Sequence, residues 1–248
     1  MATKLQIGET VYVPSSRVRG LRDYGAALYE TRVVEVAPAK ARIRLRDGAA
    51  SEWIGAGLIS RGVGILVVNV GDFETEDSLL DPLAKSMTQF FRLLVPDDQV
   101  RHVRVRSLAE LGRWWTINQG AYSHVVWIGH GSRTAVKFGV DGWIEADQLV
   151  ATLRVPGTFP KTYVSLGCRT GYRSFGATIS RSAGCASFIA PFNDVPGAIA
   201  SQFCQTFFAN HWIEGRTVGV AFRDARRSVP GSTSFRLWRN GFLRTVPQ

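Results

Sequence analysis

Two rhythms of apolar and polar positions divide the chain. Over residues 7–59 the apolar positions fall in short β-branched runs, ETVYVP, LYETRVVEV, ARIRLRD and SEWIGAGLI, separated by the turn-forming SSRVRG, APAK and DGAA. Rough alternation over four to eight residues marks half-buried strands, and short strands at this spacing predict a small all-β unit over residues 1–60. Tyr12, Tyr29 and Trp53 are its large aromatics, suited either to a binding groove or to filling a small core.

From residue 62 the rhythm becomes strand alternating with helix. GVGILVVNV is a continuous apolar run, expected for a strand covered on both faces of a parallel sheet. Leu79, Leu83, Met87, Phe90, Phe91 and Leu94 recur at helical spacing and predict a helix over 78–94. VRHVRVR reads as a second strand. Ser107 and Glu110 form a capping-box pair opening a helix through Trp114. SHVVWIGHG is a third buried strand ending on His130, followed by a hairpin-like TAVKFGVDGW and a helix at 145–153. KTYVSLGC is a fourth strand ending on Cys168, and CASFIAP a fifth. Helices at 195–212 and 217–227 and a closing strand in STSFRLWRN complete an α/β domain over 61–248, a mostly parallel sheet with helices on both faces.

Composition narrows the class without choosing a function. The 248 residues are 45% hydrophobic and 20% charged, ordinary for a chain with a sizeable core. No apolar run approaches the roughly 20 residues of a membrane span. The opening MATKLQIGETVYV has no apolar export-signal region, and three scattered cysteines make neither a disulfide framework nor a zinc site. A soluble cytoplasmic protein with reduced thiols is expected. The formal charge is +10, and seven C-terminal arginines, Arg216, Arg223, Arg226, Arg227, Arg236, Arg239 and Arg244, face only Asp224. They are spread over a helix and a strand, and no aromatic-and-basic RNA-binding motif accompanies them, so a solvated face or an acidic protein partner is favoured over nucleic acid.

Chemistry concentrates at two strand ends. Ligands of open parallel sheets bind beyond the carboxyl ends of the strands, and both His130 and Cys168 occupy that position. The helix predicted between them suits a crossover joining neighbouring strands, whose spacing of roughly 5 Å lets thiol and imidazole meet. A thiolate is the nucleophile, and an imidazole can take its proton and later protonate a leaving amine. Gly129 and Gly131 flank the histidine, and Gly167 and Gly171 lie by the cysteine. The backbone N–H groups of Gly131 and Cys168 are the expected oxyanion-hole donors. Cys185, Cys204, His102, His124 and His211 have no such partners and read as structural.

WIGHGS followed, with 38 residues from His130 to Cys168, by YVSLGCRTG resembles the His-Gly and Gly-Cys motifs of the caspase-like (clan CD) cysteine peptidases, nearest to their bacterial CHAT and separase-like branch. SAGCASFIAPFNDVPGAIASQFCQTFF and GRTVGVAFRDARR resemble the strand, turn and closing helices of that branch, over about residues 62–230. Arg169, Pro191 and Leu166 depart from the family's pattern. The N-terminal unit resembles SH3-like or Tudor-like barrels in size and strand number. The resemblance implies a caspase–haemoglobinase fold, a Cys–His dyad needing no metal or other cofactor, and endopeptidase activity on protein substrates. It also implies activation by a partner or by proteolysis, within a bacterial defence or cell-death pathway. The Gly/Ser-rich TGYRSFGATISRSAG after the cysteine is the expected cleavable loop.

Two acids lie at strand ends beside the dyad, Asp72 after GILVVNVG and Asp194 after SFIAPFN. The family uses acids in these segments to hold a basic side chain, so cleavage after Arg or Lys is expected, with Asp72 and Asp194 as substrate-binding residues. Asp194 also suits a helix N-cap, and Arg133 and Arg169 offer the rival preference for an acidic residue. A non-catalytic adaptor that binds protein or nucleic acid through the N-terminal unit is the alternative function. A serine hydrolase is excluded, because no Gly-x-Ser-x-Gly elbow is present.

Overall fold

A computed structural model describes residues 5–21 and 26–244. The ends of both expected units, 1–4 and 245–248, lie outside the described residues. The N-terminal sheet is antiparallel, in the order β1 (Thr10–Pro14), β2 (Leu28–Ala37), β3 (Lys40–Ile43), β4 (Ile54–Gly55). Tyr12 and Ser60 exchange two backbone hydrogen bonds of 2.7 and 2.8 Å, tying the chain beyond β4 back to β1. Alternating residues Val11, Val13, Val33, Ala41, Ile43 and Ile54 form a core of their own. Tyr29 packs against that core, Tyr12 against the larger core of the α/β region, and Trp53 stays outside under the cations of Lys40 and Arg42. Leu28 is buried in the same larger core, while Ser16 and Arg17 donate to the carbonyls of Ile213 and Glu214. The small sheet is therefore packed onto the rest rather than tethered to it.

The remaining elements follow in chain order: β5 (Ile65–Val70), α1 (Asp81–Arg92), β6 (Val100–Val105), α2 (Leu108–Asn118), β7 (His124–Ile128), the hairpin β8 (Ala135–Phe138) and β9 (Gly142–Glu145), α3 (Ala146–Leu153), β10 (Lys161–Ser165), α4 (Arg173–Arg181), β11 (Cys185–Pro191), α5 (Gly197–Phe208), α6 (Val218–Ser228), β12 (Phe235–Arg239) and β13 (Phe242–Leu243). The central sheet runs β13-β12-β11-β10-β7-β5-β6, parallel from β11 to β6 and antiparallel at β12 and β13. Period-two alternation sorts its side chains. Ile65, Val67, Val126 and Val164 face α1, α5 and α6, while Leu66, Val68, Val70 and Tyr163 face α2, α3 and α4. Every side chain of β5 is buried, and burying each of its apolar ones is worth about 1.5–3 kcal/mol. The mostly parallel α/β architecture read from the sequence is the one observed.

Three details correct the sequence reading. The stretch expected as a cleavable loop carries α4, which buries Phe175, Gly176, Ala177, Ile179 and Ser180. Parallel neighbours β10 and β11 need a crossover, and this is the only chain available to make it. The last strand does not close the sheet alone. Asn240 (φ 52°) and Gly241 (φ 79°) turn the chain back into β13, the two-residue Asn-Gly hairpin whose twist matches its strands. Before α1, residues 76–80 form a single π-helical turn, so the regular helix begins at Asp81 rather than residue 78.

The connections also create a topological switch point. From β5 the chain passes through α1 on one face to β6, then through α2 on the other face to β7, which pairs with the opposite side of β5. The strand order reverses between β5 and β7, the kind of switch point beyond whose carboxyl strand ends open α/β sheets bind ligands.

Candidate active site

The switch point is where titratable residues gather. Asp72, just past β5, is 4% exposed, and Thr75 follows in the turn leading to α1. His130 follows β7, and its Nε2 lies 2.6 Å from Thr75 Oγ1 and 3.6 Å from Asp72 Oδ2. The Thr75 hydroxyl is 3.4 Å from the same Asp72 oxygen. The β8–β9 hairpin brings Lys137 to 3.3 Å from Asp72 Oδ2, and the N–H of Lys137 donates to the His130 carbonyl at 2.9 Å. The result is a chain of groups Lys137–Asp72–Thr75–His130. Burial raises the Asp72 carboxyl, but the hydrogen bond and charge of Lys137, helped by the Glu74 backbone and His130, outweigh it and hold Asp72 ionised below the usual carboxylate range. The Asp72 hydrogen bond in turn raises Lys137.

Cys168 is placed by the neighbouring strand. β7 and β10 pair in parallel with Trp127 opposite Ser165, so His130 and Cys168 each stand three residues beyond the last paired position. The two loops touch: a Cβ on Gly131 would lie 2.5 Å from the Cys168 carbonyl oxygen, and one on Gly167 would lie 3.0 Å from the Gly129 oxygen. Glycine at both positions is what lets the strand tips approach. The turn bearing Cys168 is pinned on every side. Thr170 Oγ1 donates to the Gly167 carbonyl at 2.7 Å, Gly171 N–H to the Pro191 carbonyl at 2.7 Å, and Trp238 Nε1 to the Gly171 carbonyl at 3.0 Å. Arg169 takes a left-handed φ of 61°, an uncommon conformation for a residue with a side chain, and it turns the chain directly after the half-buried thiol.

Among the described residues, the N–H groups of Gly131 and Cys168 donate no hydrogen bond within the protein. The thiol's hydrogen bond goes to the Val195 carbonyl, 3.8 Å away, and not to His130. With Nε2 occupied by Thr75, Nδ1 is the imidazole nitrogen left for a reacting proton. No group of three or more His, Cys, Asp or Glu among the described residues is arranged to hold a metal ion, and no helix is long and apolar enough to cross a membrane.

No family model matches the chain, and no curated protein matches it in sequence. Among solved structures it is similar to one of pro-sf-caspase-1, at 11% identity over 59% of this chain and 72% of that one, with a TM-score of 0.40. A likeness of that size carries no argument about chemistry, which rests on the arrangement of the side chains.

That arrangement brings together His130, Cys168, Gly131 and Asp72. Asp194 lies on the far side of Cys168, where its carboxylate pairs with the Arg169 guanidinium. It does not cap α5, whose N-cap position is Pro196. Both acids thus already hold an internal cation. The sequence reading missed Thr75 and Lys137, and only the position of Thr75 beyond a buried strand pointed to it. The other cysteines are buried in apolar surroundings that raise their thiols, Cys185 to about 12, which leaves them unreactive. His124 is buried and held well below its usual value, first by burial and then by His211.

Proposed function

We propose that this protein is a caspase-like cysteine endopeptidase in which Cys168 is the nucleophile and His130 the general base. The observation that carries this is the matched placement of the two residues, three positions past a paired register on adjacent strands, with the unpaired N–H groups of Gly131 and Cys168 beside them. In the reaction, His130 Nδ1 takes the thiol proton and the thiolate attacks the scissile carbonyl carbon. Gly131 and Cys168 N–H hold the oxyanion. The imidazolium then gives its proton to the amide nitrogen as the C–N bond breaks, leaving a thioester. Water, deprotonated by His130, hydrolyses the thioester and restores the thiol. For Nδ1 to accept, Nε2 must carry the hydrogen and donate to Thr75, whose hydroxyl then points to Asp72. The Lys137-bound carboxylate stabilises the imidazolium through that hydroxyl.

The preference we propose is for Arg or Lys before the cleaved bond, held by Asp194, whose side chain is 61% exposed and can exchange Arg169 for a substrate cation. Asp72 is committed to Lys137 and His130, so its better-supported role is to hold the base. The test is a fluorogenic peptide panel with wild type, Cys168→Ala and His130→Ala. Turnover lost in both variants supports the dyad, and turnover retained by Cys168→Ala overturns it. The thiol's bond to the Val195 carbonyl favours a second reading, a resting or non-catalytic adaptor state. No turnover in wild type, with no alkylation of Cys168 by iodoacetamide, would establish it.

A further inference from the structure

We propose that the recess between α4 and the β12–β13 hairpin binds an acidic peptide segment. This recess, of about 460 Å³, is lined by Arg173, Arg181 and Arg236 together with Phe192, Trp238 and Phe242. Among the described residues, no acid lines it. Among the described residues, none of the three arginines has a carboxylate within ion-pair distance, unlike Arg169 and Arg216. Arg226 adds to the charge beside Arg236, whose guanidinium donates to the Thr233 and Phe235 carbonyls. Burial and then the Arg236 charge hold Arg226 below the ordinary guanidinium range. An arriving anion relieves that repulsion.

The recess is built rather than incidental. The Trp238 indole lies against Gly176 of α4, where a Cβ would come within 2.7 Å of its Cδ1. The Arg181 stem lies across Gly241, where a Cβ would come within 2.7 Å of its Cγ. Arg236 sits 5.3 Å from the Phe192 ring centre, Phe192 stacks on Tyr172 at 3.9 Å, and Arg133 lies 4.6 Å over Tyr172. This column runs from the recess to the loop that bears His130, and Gly171, in the recess wall, belongs to the pinned Cys168 turn.

The features favour peptide over nucleic acid. The volume is at the small end of the roughly 300–1,000 Å³ of ligand pockets, and the arginines converge on one recess instead of tracking a backbone. Phe242 is 69% exposed beside them, an apolar surface for a neighbouring side chain. β13 is the edge strand of the central sheet, open to pairing with an extended segment. The proposal does not depend on peptidase activity.

Calorimetric titration of the full chain tests it, with Cys168→Ala in every arm so that docking is read without cleavage. The probes are a hexapeptide alternating glutamate and phenylalanine, its lysine-for-glutamate counterpart, and a single-stranded hexanucleotide. Expected is binding of the acidic peptide, weakened by added salt and at least tenfold weaker in Arg173→Glu and in Arg181→Glu. Arg173 is the first residue of α4, where an acid suits the helix dipole, so that variant is expected to fold. Equal binding of the lysine peptide, tighter binding of the hexanucleotide, or an affinity indifferent to both variants overturns the proposal.

Discussion

The Thr75 hydroxyl lies 2.6 Å from Nε2 of His130, on the side of the imidazole that faces Asp72. It fixes which ring nitrogen is free, and it links the imidazole to a carboxylate that Lys137 keeps ionised. Replacing Thr75 by Val removes the acceptor for Nε2–H while keeping the side chain's shape. One such hydrogen bond is worth about 1 kcal/mol, so kcat is expected to fall about fivefold with little change in KM. Thr75→Ser restores most of the rate. Steady-state kinetics and the pH profile of kcat/KM on a fluorogenic peptide read this, and equal impairment of the Val and Ser variants would count against an orienting role.

Gly131→Ala tests the contact between the two strand tips. The added methyl would lie 2.5 Å from the Cys168 carbonyl oxygen and 2.6 Å from Thr170 Cγ2, so one loop must move. Overpacking of this kind costs about 1–3 kcal/mol. A lowered melting temperature and lost turnover are expected, whereas Gly219→Ala, in α6 with nothing near its Cβ position, keeps turnover and melts no lower than wild type. Unaltered melting of Gly131→Ala would show that the loops do not meet as described.

Much of this was legible in the chain before folding. The run of β5 could only be a strand covered on both faces, and Ser107 caps α2 through the Glu110 N–H as its spacing predicted. His130 and Cys168 were readable because each ends an apolar strand. Thr75 and Lys137 were not, because a turn and a hairpin carry them to His130 and Asp72 and neither conformation leaves a periodic pattern. α4 was hidden by its glycine and serines, though Phe175 and Ile179 are one helical turn apart and the parallel pair demanded a crossover. Asn240-Gly241 is a strong hairpin signal, but the two residues of β13 after it are too few to show a strand's alternation.

Lys161 gives a pH dependence of stability separate from the site. Its side chain is fully buried, with Nζ 2.8 Å from the Tyr122 carbonyl and 3.8 Å from the Phe159 ring centre, and burial lowers it to about 8. Below pH 8 the lysine is protonated in both states, and the folded state carries the full cost of the buried charge. Between pH 8 and its ordinary value of 10.5 the unfolded chain binds the extra proton, so stability rises with pH. The gain approaches about 3 kcal/mol at most. Denaturant unfolding at pH 7.5 and pH 10 is expected to show Lys161→Met gaining on wild type at the lower pH and losing that advantage at the higher. A difference independent of pH would mean that Lys161 titrates normally.

The pairing of Arg169 with Asp194 makes the proposed specificity a competition. A substrate Arg or Lys must take the carboxylate that Arg169 now holds, so the internal ion pair weakens binding without touching the dyad. Arg169→Gly frees Asp194 and also suits the left-handed φ of 61° at that position. It is expected to lower KM for arginyl peptides several-fold with kcat nearly unchanged, whereas Asp194→Ala raises KM for arginyl peptides and spares apolar ones. Kinetics on matched arginyl, aspartyl and leucyl peptides separate the outcomes. If Arg169→Gly instead reduces cleavage after an aspartyl residue, Arg169 itself is the specificity determinant and the basic preference is wrong.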